Sequence, residues 1–188
     1  PANDGTWRLG PPERIGNGVC ANSSQSPDGR IHAIPNRDAG AVVLDFSQRP
    51  ARRVDLKPQA DVRSVALSRD GRRLAVNTPD HGVVVHETED EEAPPVALAG
   101  RHELLIRALA LSPDGGRVAS GSEDNTIKLW PVRPGAEPLT LLGHTARVNS
   151  LAFHPDGDLL ASASDDQTVR LWEVPSGRLL MTLEPDLG

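Results

Sequence analysis

The sequence predicts an all-β chain of β-propeller blades, each a sheet of four antiparallel strands, and three regularities predict it. The pair Asp-Gly recurs at Asp28, Asp70, Asp114 and Asp156, with spacings of 42, 44 and 42 residues. A second Asp follows each of these ten residues later, at Asp38, Asp80, Asp124 and Asp166. Six residues beyond that stand Leu44, His86, Trp130 and Trp172. Marks that hold one register through four copies define a repeat, and a period of about 40–45 residues is that of a propeller blade.

The last copy shows the elements in order. Val148 to Phe153 is a short, β-leaning run. His154-Pro155-Asp156-Gly157 is a turn, in which Pro presets φ and Gly accepts positive φ. Leu159 to Ser164 is a second strand, Asp165-Asp166-Gln167 a second turn and Thr168 to Val174 a third strand. Pro175-Ser176-Gly177 turns the chain again, and Arg178 to Leu183 is a fourth strand. Four such strands on hairpin-length loops make an antiparallel meander. Strict alternation puts Leu151 and Phe153 on one face of the first strand and Val148, Ser150 and Ala152 on the other. Both faces then need cover, which stacking of like units supplies.

On this register the blades fall at about 19–56, 62–99, 106–142 and 148–184. Residues 1–18 read as the remnant of a preceding blade and a linker, because Asp4-Gly5-Thr6-Trp7-Arg8-Leu9 is similar to Asp166-Gln167-Thr168-Val169-Arg170-Leu171. The expectation is four blades that form part of a larger ring.

The residues of the last two copies identify a family. Leu142-Gly143-His144, then Ser162, Asp166 and Trp172, resemble the Gly-His to Trp-Asp frame of the WD-repeat family, with Glu173 at the final Asp. His102, Ser120, Asp124 and Trp130 keep the same offsets, although Arg101 splits Gly100 from His102. The resemblance implies that each His, Ser, Asp and Trp form a hydrogen-bonded structural tetrad inside the blade. The first two copies keep only the Asp: Ile34 and Val76 stand at the Ser, Leu44 and His86 at the Trp. Those blades are expected to rely on aliphatic packing.

Composition narrows the function. The formal charge of −6 owes most to the run Glu87, Glu89, Asp90, Glu91 and Glu92, and no basic stripe with interleaved aromatics appears, so no nucleic-acid partner is expected. The longest apolar runs are a few residues, against the ~20 of a bilayer-spanning helix, so no membrane partner is expected. A lone Cys20 excludes an internal disulfide framework and points to a reducing, cytoplasmic setting. Eighteen Arg against Lys57 and Lys128 point to a GC-rich, bacterial genome.

No catalytic residue, cofactor or metal is expected. A Ser-His-Asp set that repeats in two blades reads as structure, since a catalytic site is unique in a chain. The six His show no close ligand pair, and no phosphate loop or nucleophile elbow occurs. What the resemblance does imply is a non-catalytic scaffold for a protein or peptide partner, the C-terminal part of a larger signalling protein. By the same resemblance the partner meets the face that carries the outer-to-inner and second-to-third strand loops. Here those positions are Asp61 and Arg63, then Leu105, Arg107 and Glu123, then Arg147, Asn149 and Asp165. The alternatives are an assembly unit that completes a ring by homo-oligomerisation and a propeller hydrolase, which lacks the unique polar cluster it needs.

Overall fold

The computed structural model describes residues 23–36, 40–47, 50–56, 61–90 and 93–184. The segment Asp4 to Leu9, Cys20, Asp38 and Lys57 lie outside them. Among the described residues every regular element is a strand, and these form four sheets of four. Blade one holds β1 (Ser24–Gln25), β2 (Ile31–Asn36), β3 (Gly40–Asp45) and β4 (Arg52–Leu56). Blade two holds β5 (Val65–Leu67), β6 (Arg73–Asn77), β7 (Val83–Glu87) and β8 (Val96–Ala97). Blade three holds β9 (Ile106–Leu111), β10 (Arg117–Ser122), β11 (Ile127–Pro131) and β12 (Leu139–Leu141). Blade four holds β13 (Val148–Phe153), β14 (Leu159–Ser164), β15 (Val169–Glu173) and β16 (Leu179–Leu183). Each sheet is an antiparallel meander in chain order. The first strands β1, β5, β9 and β13 lie beside one another in sequence, so the blades fan out from a shared inner edge.

The Asp-Gly turn is built from side chains as well as from glycine. Ser26, Ser68 and Ser112 each donate to the Asp two residues on, at 2.6, 2.6 and 2.5 Å. The same Asp carboxylates accept the N–H of Arg30, Arg72 and Gly116. Gly29, Gly71, Gly115 and Gly157 take φ of 68°, 73°, 66° and 80°, which only glycine adopts without cost. These serine bonds, with the backbone ones second at Asp28 and Asp114, hold all three carboxyls below the usual range.

The core is three cores, one between each pair of neighbouring blades. Ala33, Ala41, Val43 and Val54 of blade one meet Val65, Leu74, Val76 and Val84 of blade two. Ala75, Val83, Val85 and Leu98 then meet Ile106, Leu109, Val118 and Trp130. Ala119, Ile127, Leu129 and Leu141 meet Val148, Leu160, Trp172 and Phe153. Alternation makes this possible, because one strand sends successive side chains to opposite neighbours. On blade four the corresponding outward positions are open: Val169 is 40% and Leu183 56% exposed.

Strict alternation fails at the start of β13. Val148 is fully buried against blade three together with Leu151 and Phe153, not on the side of Ser150 and Ala152. The pairing of β13 with β14 shifts between Val148 and Ser150, and the extra residue of that bulge turns Val148 inward. Of the acidic run, Glu87 closes β7 and pairs with Arg73 at 2.9 Å. Glu89 pairs with Arg72 at 3.4 Å.

Candidate functional site

Two polar networks sit inside blades three and four. His102 Nδ1 lies 2.8 Å from Asp124 Oδ2, and its Nε2 lies 2.7 Å from Ser120 Oγ. Trp130 Nε1–H donates to the same Oγ at 2.7 Å. In blade four the distances are 2.7 Å from His144 Nδ1 to Asp166, 2.8 Å from Nε2 to Ser162 and 2.8 Å from Trp172 Nε1 to Ser162. The donor inventory fixes the direction: an indole only donates and a carboxylate only accepts, so Ser receives from Trp and gives to His, and His gives to Asp.

The connection order, Asp to Nδ1 and Nε2 to Ser, is that of a hydrolytic triad. Its burial is not. Ser120 is 0% and Ser162 1% exposed, and each hydroxyl oxygen already holds an indole N–H, so no carbonyl can approach. These are interior struts.

Sequence reasoning missed a fifth member. Thr126 and Thr168 donate to Asp124 and Asp166 at 2.7 Å. Burial alone would raise both carboxyls; the bonds from His102 and Thr126, and from Thr168 and His144, outweigh it and hold both well below the carboxylate range. A Thr two residues after the Asp was the signal. In blade two Thr78 donates to Asp80 at 2.5 Å instead. His86, in the Trp position, is 8% exposed, and burial lowers its pKa. Blade two thus combines the expected aliphatic packing, Val76 at 3% exposure included, with a buried polar ring.

The depressed carboxyls set an acid limit. The unfolded chain, with Asp near ~3.9, binds more protons than the folded one, so stability rises with pH. Their contribution is complete above about pH 5 and drains as pH falls toward the folded values. The melting temperature is therefore expected to drop between about pH 5 and pH 3, and Asp124→Asn to shallow that slope. A melt indifferent to pH over the same interval would contradict this.

The second constellation is on the surface. Arg63 meets Asp61 through Nε at 2.9 Å and Nη2 at 2.9 Å. Arg107 Nε donates to Glu123 Oε1 at 2.7 Å. Arg147 and Asn149 both donate to Asp165, one to each oxygen. The pairs are coupled across blades. After its bond to Asp61, Arg63 is raised further by Glu123 of the next blade. Asp165, lowered first by Arg147, feels Arg107 as well. Asp61 with Arg63, Glu123 with Arg107 and Asp165 with Arg147 thus place one Arg–carboxylate pair on each of three successive blades.

Backbone bonds steady this rim. Glu123 N–H donates to Leu105 O at 3.0 Å, Asp165 N–H to Arg147 O at 3.0 Å. Leu105 is half-buried; its neighbour Leu104 is 48% exposed. Asn77, another residue sequence reasoning passed over, accepts the N–H of Arg63 and Ser64 at 2.8 and 2.9 Å. It thereby fixes the start of the inner strand in blade two. Among the described residues no group of three His, Cys, Asp or Glu is placed to hold a metal.

The family match falls on the tetrad-bearing blades three and four. The model of the WD domain, G-beta repeat (WD40), matches residues 97–131 and 135–173. The chain is 34% identical to Denticleless protein homolog A from Xenopus laevis over 45% of its length. It is 44% identical to the Lissencephaly-1 homolog from Monosiga brevicollis over 30% of its length. NACHT domain- and WD repeat-containing protein 1 from Mus musculus shares 35% identity over 43%. The matches span 12%, 14% and 5% of those three proteins.

Proposed function

We propose that this chain, which belongs to the WD-repeat family through its repeats at 97–131 and 135–173, is a non-catalytic scaffold that holds a protein or peptide partner on the rim from Asp61 to Arg147. WD40 repeats are in general protein-interaction modules. The observation that carries the proposal is the row of three Arg–carboxylate pairs on adjacent blades. Each guanidinium is pre-oriented by a partner on its own blade, so little side-chain freedom is lost when a second acceptor arrives. Arg is also the charged residue most used at binding hot spots.

The finer reading is a cytoplasmic tail of a larger, bacterial signalling protein. It is supported by the lone Cys20, by the Arg-rich composition and by the printed name of the mouse relative, which joins WD repeats to a NACHT domain. The test uses tagged chain and the proteins it captures from its own cell extract. Arg107→Glu and Arg147→Glu are each expected to weaken capture about tenfold, ~1.4 kcal/mol, with an unchanged melting temperature. Full capture by both variants would place the partner elsewhere.

A further inference from the structure

Blade four carries a sheet face that no other described blade covers. Strand register sets its side chains in two rows across β13, β14, β15 and β16. One row reads Ser150, Ala163, Val169, Leu183, and the next reads Ala152, Ala161, Leu171, Met181. No member is charged and none is buried; Val169, Met181 and Leu183 are 40%, 50% and 56% exposed. Both rows grade from small residues on the inner strands to large ones on the outer strands. Blade three grades the same way, through Ala108, Gly121, Ile127 and Leu141. There the small end is filled from the facing sheet, by Val148 of β13 over Gly121.

We propose that this face binds the same face of a second copy, about a two-fold axis that runs along the strands. Such an axis exchanges inner and outer strands and lays each row on itself. Ser150 then faces Leu183 of the second copy, Ala163 its Val169, Ala152 its Met181 and Ala161 its Leu171. A small residue meets a large one at every point, whereas an axis across the strands would set large on large and leave a gap between the small halves. Isologous pairing needs a self-complementary patch, and close packing across it needs matched volumes. The corners agree in charge. Arg178, which Glu173 orients at 2.9 Å, stands just before β16, and the turn with Asp156 and Asp158 just after β13. Both lie at the same end of the strands, so the axis brings each Arg178 to the acidic turn of the other copy. Asp158 is particular to blade four, since the equivalent positions hold Arg30, Arg72 and Gly116. The other end of the array is not the mate: Val42, on the face of blade one turned from blade two, is 3% exposed. With about 15 Å from first strand to last, the contact is at the small end for interfaces, so the dimer is reversible. The surface is other than the rim, and the proposal goes beyond the scaffold reading without depending on it.

Charge exchange between two variants tests this. Val169→Lys alone and Ala163→Glu alone each put a charge into the apolar contact, twice by symmetry. An equimolar mixture sets Lys against Glu at one of the two places and restores the native contact at the other. In sedimentation of the whole chain, the wild type is expected to pass from monomer to twice that mass as concentration rises. Each variant alone is expected as a monomer with the circular dichroism of the wild type, and the mixture as a dimer. Met181→Lys with Ala152→Glu repeats the exchange on the second row, at two exposed positions. Arg107→Glu, on the rim, is expected to leave the dimer intact. A wild type that stays monomeric to its solubility limit, a dimer that survives in the single variants, or mixtures that stay monomeric each overturn the proposal. So does a dimer that Arg107→Glu breaks, which would put the contact on the rim. Rim-dependent capture of a foreign protein by a monomeric wild type would leave the scaffold reading standing and this one refuted.

Discussion

Trp130→Ala is expected to cost the chain about 3–5 kcal/mol, the usual loss for a buried aromatic. Trp130 is 0% exposed and belongs to two assemblies at once. Its ring packs in the core between blades two and three, beside Val118 and Ile106. Its N–H ends the Ser120–His102–Asp124 network of its own blade. Truncation therefore leaves a cavity and strips a hydrogen bond from a hydroxyl with no route to water. Trp130→Phe separates the two effects: most of the volume returns, the N–H does not, and an intermediate loss follows. Urea melts of both variants check the order. A loss below about 1 kcal/mol for the alanine variant would mean that the interface collapses onto the gap.

Gly121→Ala is the second severe change, and its cause is opposite. A Cβ at Gly121 would lie 2.6 Å from Val148 Cγ1, 3.0 Å from its Cβ and 3.2 Å from its carbonyl oxygen. Val148 is fully buried, so it cannot turn away, and the carbonyl belongs to the inner strand of the next blade. Overpacking of this kind costs about 1–3 kcal/mol. Val148→Ala should open the space, so that Gly121→Ala costs markedly less in that background. A double-mutant cycle reads the coupling directly. If the two costs simply add, blades three and four do not meet as described.

The blades were legible because Asp-Gly and the later Asp are set by turn geometry, which tolerates few residues. The tetrads of blades three and four were legible for a related reason: a His, a Ser and a Trp at fixed offsets leave few arrangements that satisfy buried polar atoms. The bulge that turns Val148 inward was not legible, because it depends on pairing with β14, and a period of two has no mark for an extra residue. Nor was the role of Asn77. Its position holds Gly121 in blade three and Ala163 in blade four, and nothing in a lone Asn says that it will cap the neighbouring strand. The rim residues could be placed by strand offsets, but which carboxylate each Arg meets required the spatial order of the loops.

The division of the core into three separate interfaces has a consequence for how such a chain can change. Among the described residues none is central to all four blades, so each blade answers only to its neighbours, as in a linear array of coupled units. A substitution is judged locally. Blade two carries Val76 and His86 where blade three carries Ser120 and Trp130, and Val76 itself joins the aliphatic contact with blade one. Drift in one repeat therefore need not be answered in the next. Blades of unequal polish can therefore coexist in one chain.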